Sequence, residues 1–171
     1  YTALMFVARN GGEHAEPIMR TLLAAGANAN AQQRGGRTAL MITAQHGGEH
    51  GEAMMRALVE AGADVNKHDT CKGEFTSVGF TALMYAVTYG DEHAEAMIRA
   101  LLAAGADANA QTNNGCTALM LATEHAGEHF EAIMRALAHD GKQVAVDKQR
   151  NDGWTALMFA AHDGDVHGEA M

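Results

Sequence analysis

Hydrophobic and polar positions follow one pattern that recurs five times along the chain. The starts of the copies are 36, 43, 36 and 38 residues apart. Each copy opens with Thr-Ala-Leu-Met, at positions 2–5, 38–41, 81–84, 117–120 and 155–158. Self-similarity at a period of this size indicates a repeat architecture. In the first copy, Leu4, Met5 and Ala8 recur at three- and four-residue steps, which predicts a short helix with one apolar face.

A second apolar stripe follows the first and predicts a second helix in each unit. In the first unit Thr2 is a suitable N-cap for helix A, and Gly11-Gly12 predicts its end. Helix B is predicted from about Glu13 to Ala25, with Gly26 closing it. Its stripe consists of Ile18, Met19, Leu22 and Leu23. One such helix pair is too small to bury its own apolar side, so we expect the units to stack.

Polar, glycine-containing links join one unit to the next. Thr38 follows Gly26 by 12 residues, whereas Thr81 follows Gly62 by 19. The seven additional residues fall within Lys67–Gly79. Because insertions in one kind of link map to one edge of a stacked array, this edge is a candidate binding surface.

The stretch Gly105-Ala-Asp-Ala-Asn-Ala110, followed by Asn114-Gly115-Cys-Thr117-Ala-Leu-Met, resembles the ankyrin repeat. The resemblance implies an all-α solenoid of stacked helix–turn–helix units with β-turn or hairpin-like projecting links. It covers residues 1–171 as a single array, with repeats starting near 2, 38, 81, 117 and 155 and with the first and last incomplete. We expect the chain to be a fragment of a longer one. A tetratricopeptide array has a similar period but lacks the Gly-Ala-Asp-x-Asn link.

Two departures from the ankyrin pattern have structural consequences. The family opens helix A with Thr-Pro-Leu-His, and this chain has Thr-Ala-Leu-Met, so we expect methionine to fill the histidine's space apolarly. The aspartate usually found five residues before the threonine is replaced by Gln33, Thr76, Thr112 and Arg150. Each complete unit also has three more residues between helix A and the end of helix B than the roughly 33-residue family period allows. We predict that they lengthen the connection or the start of helix B.

Net charge is −9, which disfavours nucleic acid and anionic lipid as partners and favours a protein with a basic patch. No apolar run approaches the roughly 20 residues of a membrane span. Cys71 and Cys116 are too few for a disulfide framework and fit the reduced thiols of an intracellular, cytoplasmic protein.

Histidines recur in phase before helix B, each two residues before a glutamate, at His14, His50, His93, His129 and His167. Packed helices lie roughly 8–10 Å apart, while zinc ligands lie about 2.0–2.1 Å from the metal. One histidine per repeat therefore favours a structural or solvated role, and a metal-responsive scaffold is an alternative. The chain has no Gly-x-Ser-x-Gly, Walker or Gly-x-Gly-x-x-Gly motif, so we predict no catalytic residue and no cofactor.

The ankyrin resemblance implies that the residues after the helix-A alanines and at the turn tips face a concave, protein-binding groove. Aromatic residues and arginine dominate interface hot spots. The candidate binding residues are Arg9, Arg34, His46, Phe80, Thr88, Tyr89, Glu124, His125, Trp154, His162 and Asp163. For Phe80 and Trp154 the alternative is packing between neighbouring turns. The predicted function is a non-catalytic interaction module or scaffold, and the alternative is the regulatory arm of a larger enzyme, channel or effector.

The resemblance also concerns three asparagines in the links, Asn30, Asn66 and Asn109. They match the asparagine that intracellular hydroxylases modify in some ankyrin repeats. The alternative interpretation is a hydrogen-bonded turn residue.

Overall fold

The computed structural model describes residues 1–70, 79–125, 129–138 and 144–166, without the side chains of His125 and residues 163–166. Within these ranges the chain forms nine α-helices, two short 3₁₀ helices and no strand, with one isolated β-bridge between Gln111 and Thr117. The helices are α1 (Ala3–Asn10), α2 (Ala15–Ala24), α3 (Ala39–His46), α4 (Gly51–Glu60), α5 (Ala82–Tyr89), α6 (Ala94–Ala103), α7 (Ala118–His125), α8 (Phe130–Ala138) and α9 (Ala156–Val166).

The helices pack as two layers of parallel rows. The helix-A layer runs α1, α3, α5, α7, α9, and each of these helices packs against the next. The helix-B layer runs α2, α4, α6, α8 in the same way, and each helix B also packs against the helix A of its own repeat. This arrangement confirms the predicted all-α solenoid, in which each repeat is stabilised by its neighbours.

The recurring Thr-Ala-Leu-Met both starts helix A and fills the core. The hydroxyls of Thr2 and Thr38 accept the backbone N–H groups of Met5 and Met41 at 3.3 Å. In return, each methionine sulfur lies 3.4 Å from the backbone N–H of its threonine. This is a reciprocal capping box in which a thioether replaces the usual Glu or Gln. Both methionines are also almost fully buried, as expected for an apolar replacement of histidine.

One apolar core runs through the array from Leu4 to Ala156. In α3 and α5, which have a neighbour on each side, six of the eight residues are buried. By contrast, Leu157 and Met158 in α9 are 77% and 50% exposed. Unlike α9, which packs against α7, the other A helices also pack against a following helix A and a helix B, so burial at the Leu-Met positions depends on those contacts.

Helix B ends where glycine adopts a left-handed conformation. Gly62 and Gly105 have φ values of 81° and 90°, which glycine tolerates because it lacks a Cβ atom. The residue after each glycine donates its N–H back to the helix, as Ala106 does to the carbonyl of Leu101 at 2.9 Å. This closure satisfies carbonyls in the last turn and directs the chain into the link.

The connection between helix A and helix B contains a short 3₁₀ helix where the sequence predicts additional residues. It spans Gly48–His50 in the second repeat and Asp91–His93 in the third. Asp91 has φ of 47°, close to the 49° of Gly48 at the equivalent position. In the first repeat, helix B begins at Ala15 and not at Glu13, because residues 13 and 14 form a turn.

Candidate protein-binding groove

Successive links fold back as tight turns that stack along one side of the helix-A layer. The first turn closes with the N–H of Gln33 donating to the carbonyl of Arg37 at 3.1 Å. Neighbouring turns join directly, as the N–H of Thr70 donates to the carbonyl of Gly35 at 2.8 Å. We call the turns and the C-terminal ends of the helix-A layer the groove surface.

Asparagine side chains bind each link to the next. The amide of Asn30 donates to the carbonyl of Gly62 at 2.8 Å, and its oxygen accepts the N–H of Asp64 at 2.7 Å. Asn66 makes the same two bonds to the following link, at 3.1 and 2.8 Å. The oxygen of Asn109 accepts the N–H of Ala145 at 2.7 Å. These contacts match the alternative interpretation, in which each asparagine is a hydrogen-bonded turn residue. Hydroxylation of these asparagines stays a prediction.

Replacing Asn66 with alanine should lower the free energy of unfolding by about 1–2 kcal/mol, because two hydrogen bonds between repeats are lost while water can reach the exposed groups. Urea unfolding followed by helical circular dichroism measures the loss. The control is Asn10→Ala at the exposed end of α1, which should change stability by less than about 0.5 kcal/mol. Equal effects at both positions would show that the Asn66 contacts contribute nothing specific.

The N-terminal part of the groove surface is basic. Arg9, Arg37 and His46 line one cavity of about 170 Å³, together with Tyr1, Gln33 and Gln45. The guanidinium of Arg37 lies 4.9 Å from the ring centre of Tyr85, and its Nη2 donates to the side-chain oxygen of Gln45. Partial burial lowers the pKa of His46, and the positive charges of Arg37 and Arg9 lower it further. Arg9 and His46 are exposed, and Arg34 lies exposed at the turn tip.

The central part is aromatic. Tyr85 contacts the ring of Phe80 at a centroid distance of 5.4 Å and stacks on half-buried Tyr89 at 6.0 Å. Phe80 is only 7% exposed. This agrees with the alternative that Phe80 packs between neighbouring turns, and it leaves little of the ring accessible to a partner. Thr88 is half-buried, and its hydroxyl donates to the carbonyl of Met84 at 2.9 Å.

Asp69 organises the third turn and was not singled out by sequence. Its carboxylate accepts the N–H groups of Gly79 and Phe80 at 3.0 and 2.9 Å, and the hydroxyl of Tyr85 at 2.6 Å. The residue is 3% exposed. Counting back five residues from the threonine selects Thr76, which lies outside the described part of the chain, whereas the structure shows Asp69 accepting the N–H groups of the turn. The backbone pairing of Asp69 with Phe80 could have been recognised by aligning the links from their N-terminal ends.

The part formed by the fourth repeat is acidic. Glu124 is exposed, and its charge adds to the effect of burial in raising the pKa of Cys116 to about 11. The Cys116 thiol therefore stays protonated at neutral pH, in keeping with an unreactive thiol. Nearby, Arg150 pairs with Asp152 in the next turn. The side chain of His125 and the residue Cys71 lie outside the described part of the chain.

The last part is again aromatic. Half-buried Trp154 contacts Phe159 at 5.1 Å and exposed His162 at 5.7 Å between ring centres. Arg150 lies over the Phe159 ring at 4.7 Å. These contacts give Trp154 both a packing role and an accessible face. The side chain of Asp163 is not among those described.

The in-phase histidines lie in the connections between helix A and helix B. His14, His50 and His93 precede α2, α4 and α6, and none caps its helix with a side-chain hydrogen bond. Over the described ranges, no three His, Cys, Asp or Glu residues come close enough to hold a metal ion. His167 is outside these ranges.

Two layers of helices, joined by stacked turns over a continuous core, define a solenoid repeat protein. The family of ankyrin repeats (3 copies) matches residues 4–109 and 91–168, so the chain belongs to the ankyrin-repeat family. None of the curated proteins compared with the chain matches it. Among the described residues, no helix has both the length and the apolarity needed to cross a bilayer. Ankyrin repeats are generally protein-interaction modules and typically non-catalytic.

Proposed function

We propose that this chain is a non-catalytic interaction module that holds a partner polypeptide along the groove surface. The observation that carries the proposal is the contrast between a repeated core and an unrepeated surface. The leucine and methionine of Thr-Ala-Leu-Met recur in every repeat, whereas the last two residues of helix A do not. They are Arg9-Asn10, Gln45-His46, Thr88-Tyr89 and Glu124-His125.

The chemistry of the groove surface supports recognition of a polypeptide. Tyr89 and Trp154 offer partly exposed aromatic faces, the side chains most enriched in interface hot spots. Because the scaffold orders these side chains before binding, little conformational entropy is lost on association. The net charge of −9 favours a partner with a basic patch over nucleic acid. We also infer an intracellular, cytoplasmic setting, which the low cysteine number supports.

Glu124→Arg should weaken binding of the native partner at least tenfold, because a basic partner would meet a positive charge on the exposed end of α7. The partner is first isolated by cross-linking to the wild-type chain, and the dissociation constant is then measured by calorimetry. Glu49→Arg, which makes the same charge change in the exposed helix A–helix B connection, is the control and should bind normally. Equal affinities for Glu124→Arg and wild type would contradict binding at this part of the groove.

A further inference from the structure

Arginines of this chain differ in whether a carboxylate pairs with them, and Arg150 in the last turn of the groove surface pairs with Asp152. On the helix-B layer, Arg20, Arg56 and Arg99 each pair with the glutamate one turn earlier in their helix. On the groove surface, Arg9 and Arg37 have no ion pair among the described residues. This happens in a chain with 21 acidic and 12 basic residues, so the local excess of positive charge is specific to this place.

The two groove arginines line the same cavity as His46, between the ends of α1 and α3 and the first turn. None of the described residues that line this cavity of about 170 Å³ carries a carboxylate. The other polar groups in its wall are the amides of Gln33 and Gln45 and the hydroxyl of Tyr1. The two amides can donate hydrogen bonds, whereas the Tyr1 hydroxyl already donates to the carbonyl of Met5 at 3.3 Å. The wall therefore combines positive charge with neutral amide donors.

Arg37 is held in place by groups that leave its charge uncompensated. Its contacts are a neutral amide oxygen on Gln45 and the face of Tyr85. Its Nε–H is buried and has no acceptor within the described part of the chain. A buried donor without an acceptor costs about 1–3 kcal/mol. An oxyanion in the cavity would supply the missing negative charge beside the Arg37 guanidinium.

We propose that this cavity binds an oxyanion side chain of the partner polypeptide, the carboxylate of Asp or Glu or the phosphate of a phosphorylated residue. The proposal rests on the proposed function, because it assigns one contact of the partner held along the groove surface. It also refines the partner's chemistry: an anionic residue docks between Arg9 and Arg37, while basic residues suit the part around Glu124.

His46 gives the site a pH dependence of known sign. The cavity around it is also lined by Arg9 from α1, by Arg37 and Gln33 from the turn, by Ile42 and Gln45 from α3, and by Tyr1, which carries the amino-terminal ammonium. Burial and the two guanidiniums lower the pKa of its imidazole, so the histidine is mostly neutral near pH 7. A bound oxyanion raises this pKa, and binding therefore takes up a proton. Affinity should increase as pH falls towards the histidine's pKa.

The test is an NMR titration of the full chain with acetylated tetraglutamate amide, a tetraphosphoserine peptide of the same length, and a tetraglutamine peptide as neutral probe. We expect saturable shifts of the Arg9 and Arg37 Nε–H and His46 ring signals with an anionic peptide and none with tetraglutamine. Binding of tetraglutamate assigns the carboxylate source, and binding of phosphoserine alone assigns the phosphate source. No saturable shift with either anionic peptide overturns the proposal.

The matched variants are Arg9→Gln in the cavity and Arg56→Gln on the helix-B layer. Each removes one positive charge from an exposed side chain. Arg9→Gln should weaken binding of the anionic peptide about tenfold, with an unchanged thermal midpoint, and Arg56→Gln should leave affinity unchanged. Equal weakening by both would show non-specific attraction and overturn the site. Affinity for tetraglutamate that is the same at pH 8 and pH 6 would contradict the place of His46 in it.

These outcomes separate this inference from the proposed function. The peptide titration needs no native partner and tests the cavity alone. If Glu124→Arg abolishes partner binding while neither anionic peptide binds, only the oxyanion site is wrong. If an anionic peptide binds the cavity while Glu124→Arg leaves partner binding intact, the wider groove assignment is the one that fails.

Discussion

Leu101→Ala is expected to lower the free energy of unfolding by about 2–5 kcal/mol. Leu101 is 0% exposed in α6, a helix that packs against α4, α5 and α8. Removing its isobutyl group leaves a cavity that these neighbours can fill only in part. Because each repeat is stabilised by those beside it, the loss should affect both interfaces of the third repeat. Urea unfolding, monitored by helical circular dichroism, measures it.

Leu157→Ala is the matched control for this change. It removes the same atoms from a leucine that is 77% exposed, so the expected change is within about 0.5 kcal/mol. A loss below about 1 kcal/mol at Leu101 would contradict the assignment of this residue to the shared core. Partial unfolding of the third and fourth repeats before the others would be consistent with it.

Asp69→Ala is expected to cost about 3–5 kcal/mol. The substitution leaves two backbone N–H groups and the hydroxyl of Tyr85 without their shared acceptor, and each buried unsatisfied donor costs about 1–3 kcal/mol. The site is 3% exposed, so water replaces the carboxylate poorly. The measurement is the change in unfolding free energy, together with loss of hydrogen-exchange protection at the N–H of Phe80.

Two further substitutions make this prediction specific. Asp107→Ala changes an exposed aspartate whose carboxylate accepts one N–H, that of Asn109 at 2.8 Å, and should cost only about 1 kcal/mol. Tyr85→Phe removes a single hydrogen bond to Asp69 and should cost about 1–2 kcal/mol. If Asp69→Ala costs no more than Asp107→Ala, then Asp69 does not organise the third turn.

A feature of this fold could be predicted from the sequence when the residues that produce it lie close together along the chain. Helix A was predictable because Thr-Ala-Leu-Met places its cap and its apolar residues within one turn. The second role of the methionine, as the acceptor for the threonine's own N–H, was missed because thioethers are weak acceptors. The start of helix B was placed two residues early, since the 3₁₀ and turn conformations before it carry no hydrophobic period.

The candidate groove was predictable in position but not in chemistry. The helix-A ends were identified from the family resemblance, yet Phe80 proved almost buried against Tyr85. Asp69 was missed because the groups that donate hydrogen bonds to it, on Gly79, Phe80 and Tyr85, are 10, 11 and 16 residues away along the chain. Counting back from Thr81 passes through the inserted residues, whereas counting forward from Gly62 reaches Asp69 at the spacing that separates Gln33 from Gly26.

The sequence by itself determined the repeat, the helix pairs, the stacked core and the acidic net charge, because each is fixed by the order or the sum of residues. Only the tertiary structure decided which charged side chains lie close together. Arg9 and Arg37 are 28 positions apart in the printed sequence and share one cavity, because stacking brings the end of one repeat's helix A beside the next turn. The net charge of the chain is −9, yet packing places positively charged side chains together in one cavity. The overall composition does not reveal this cavity.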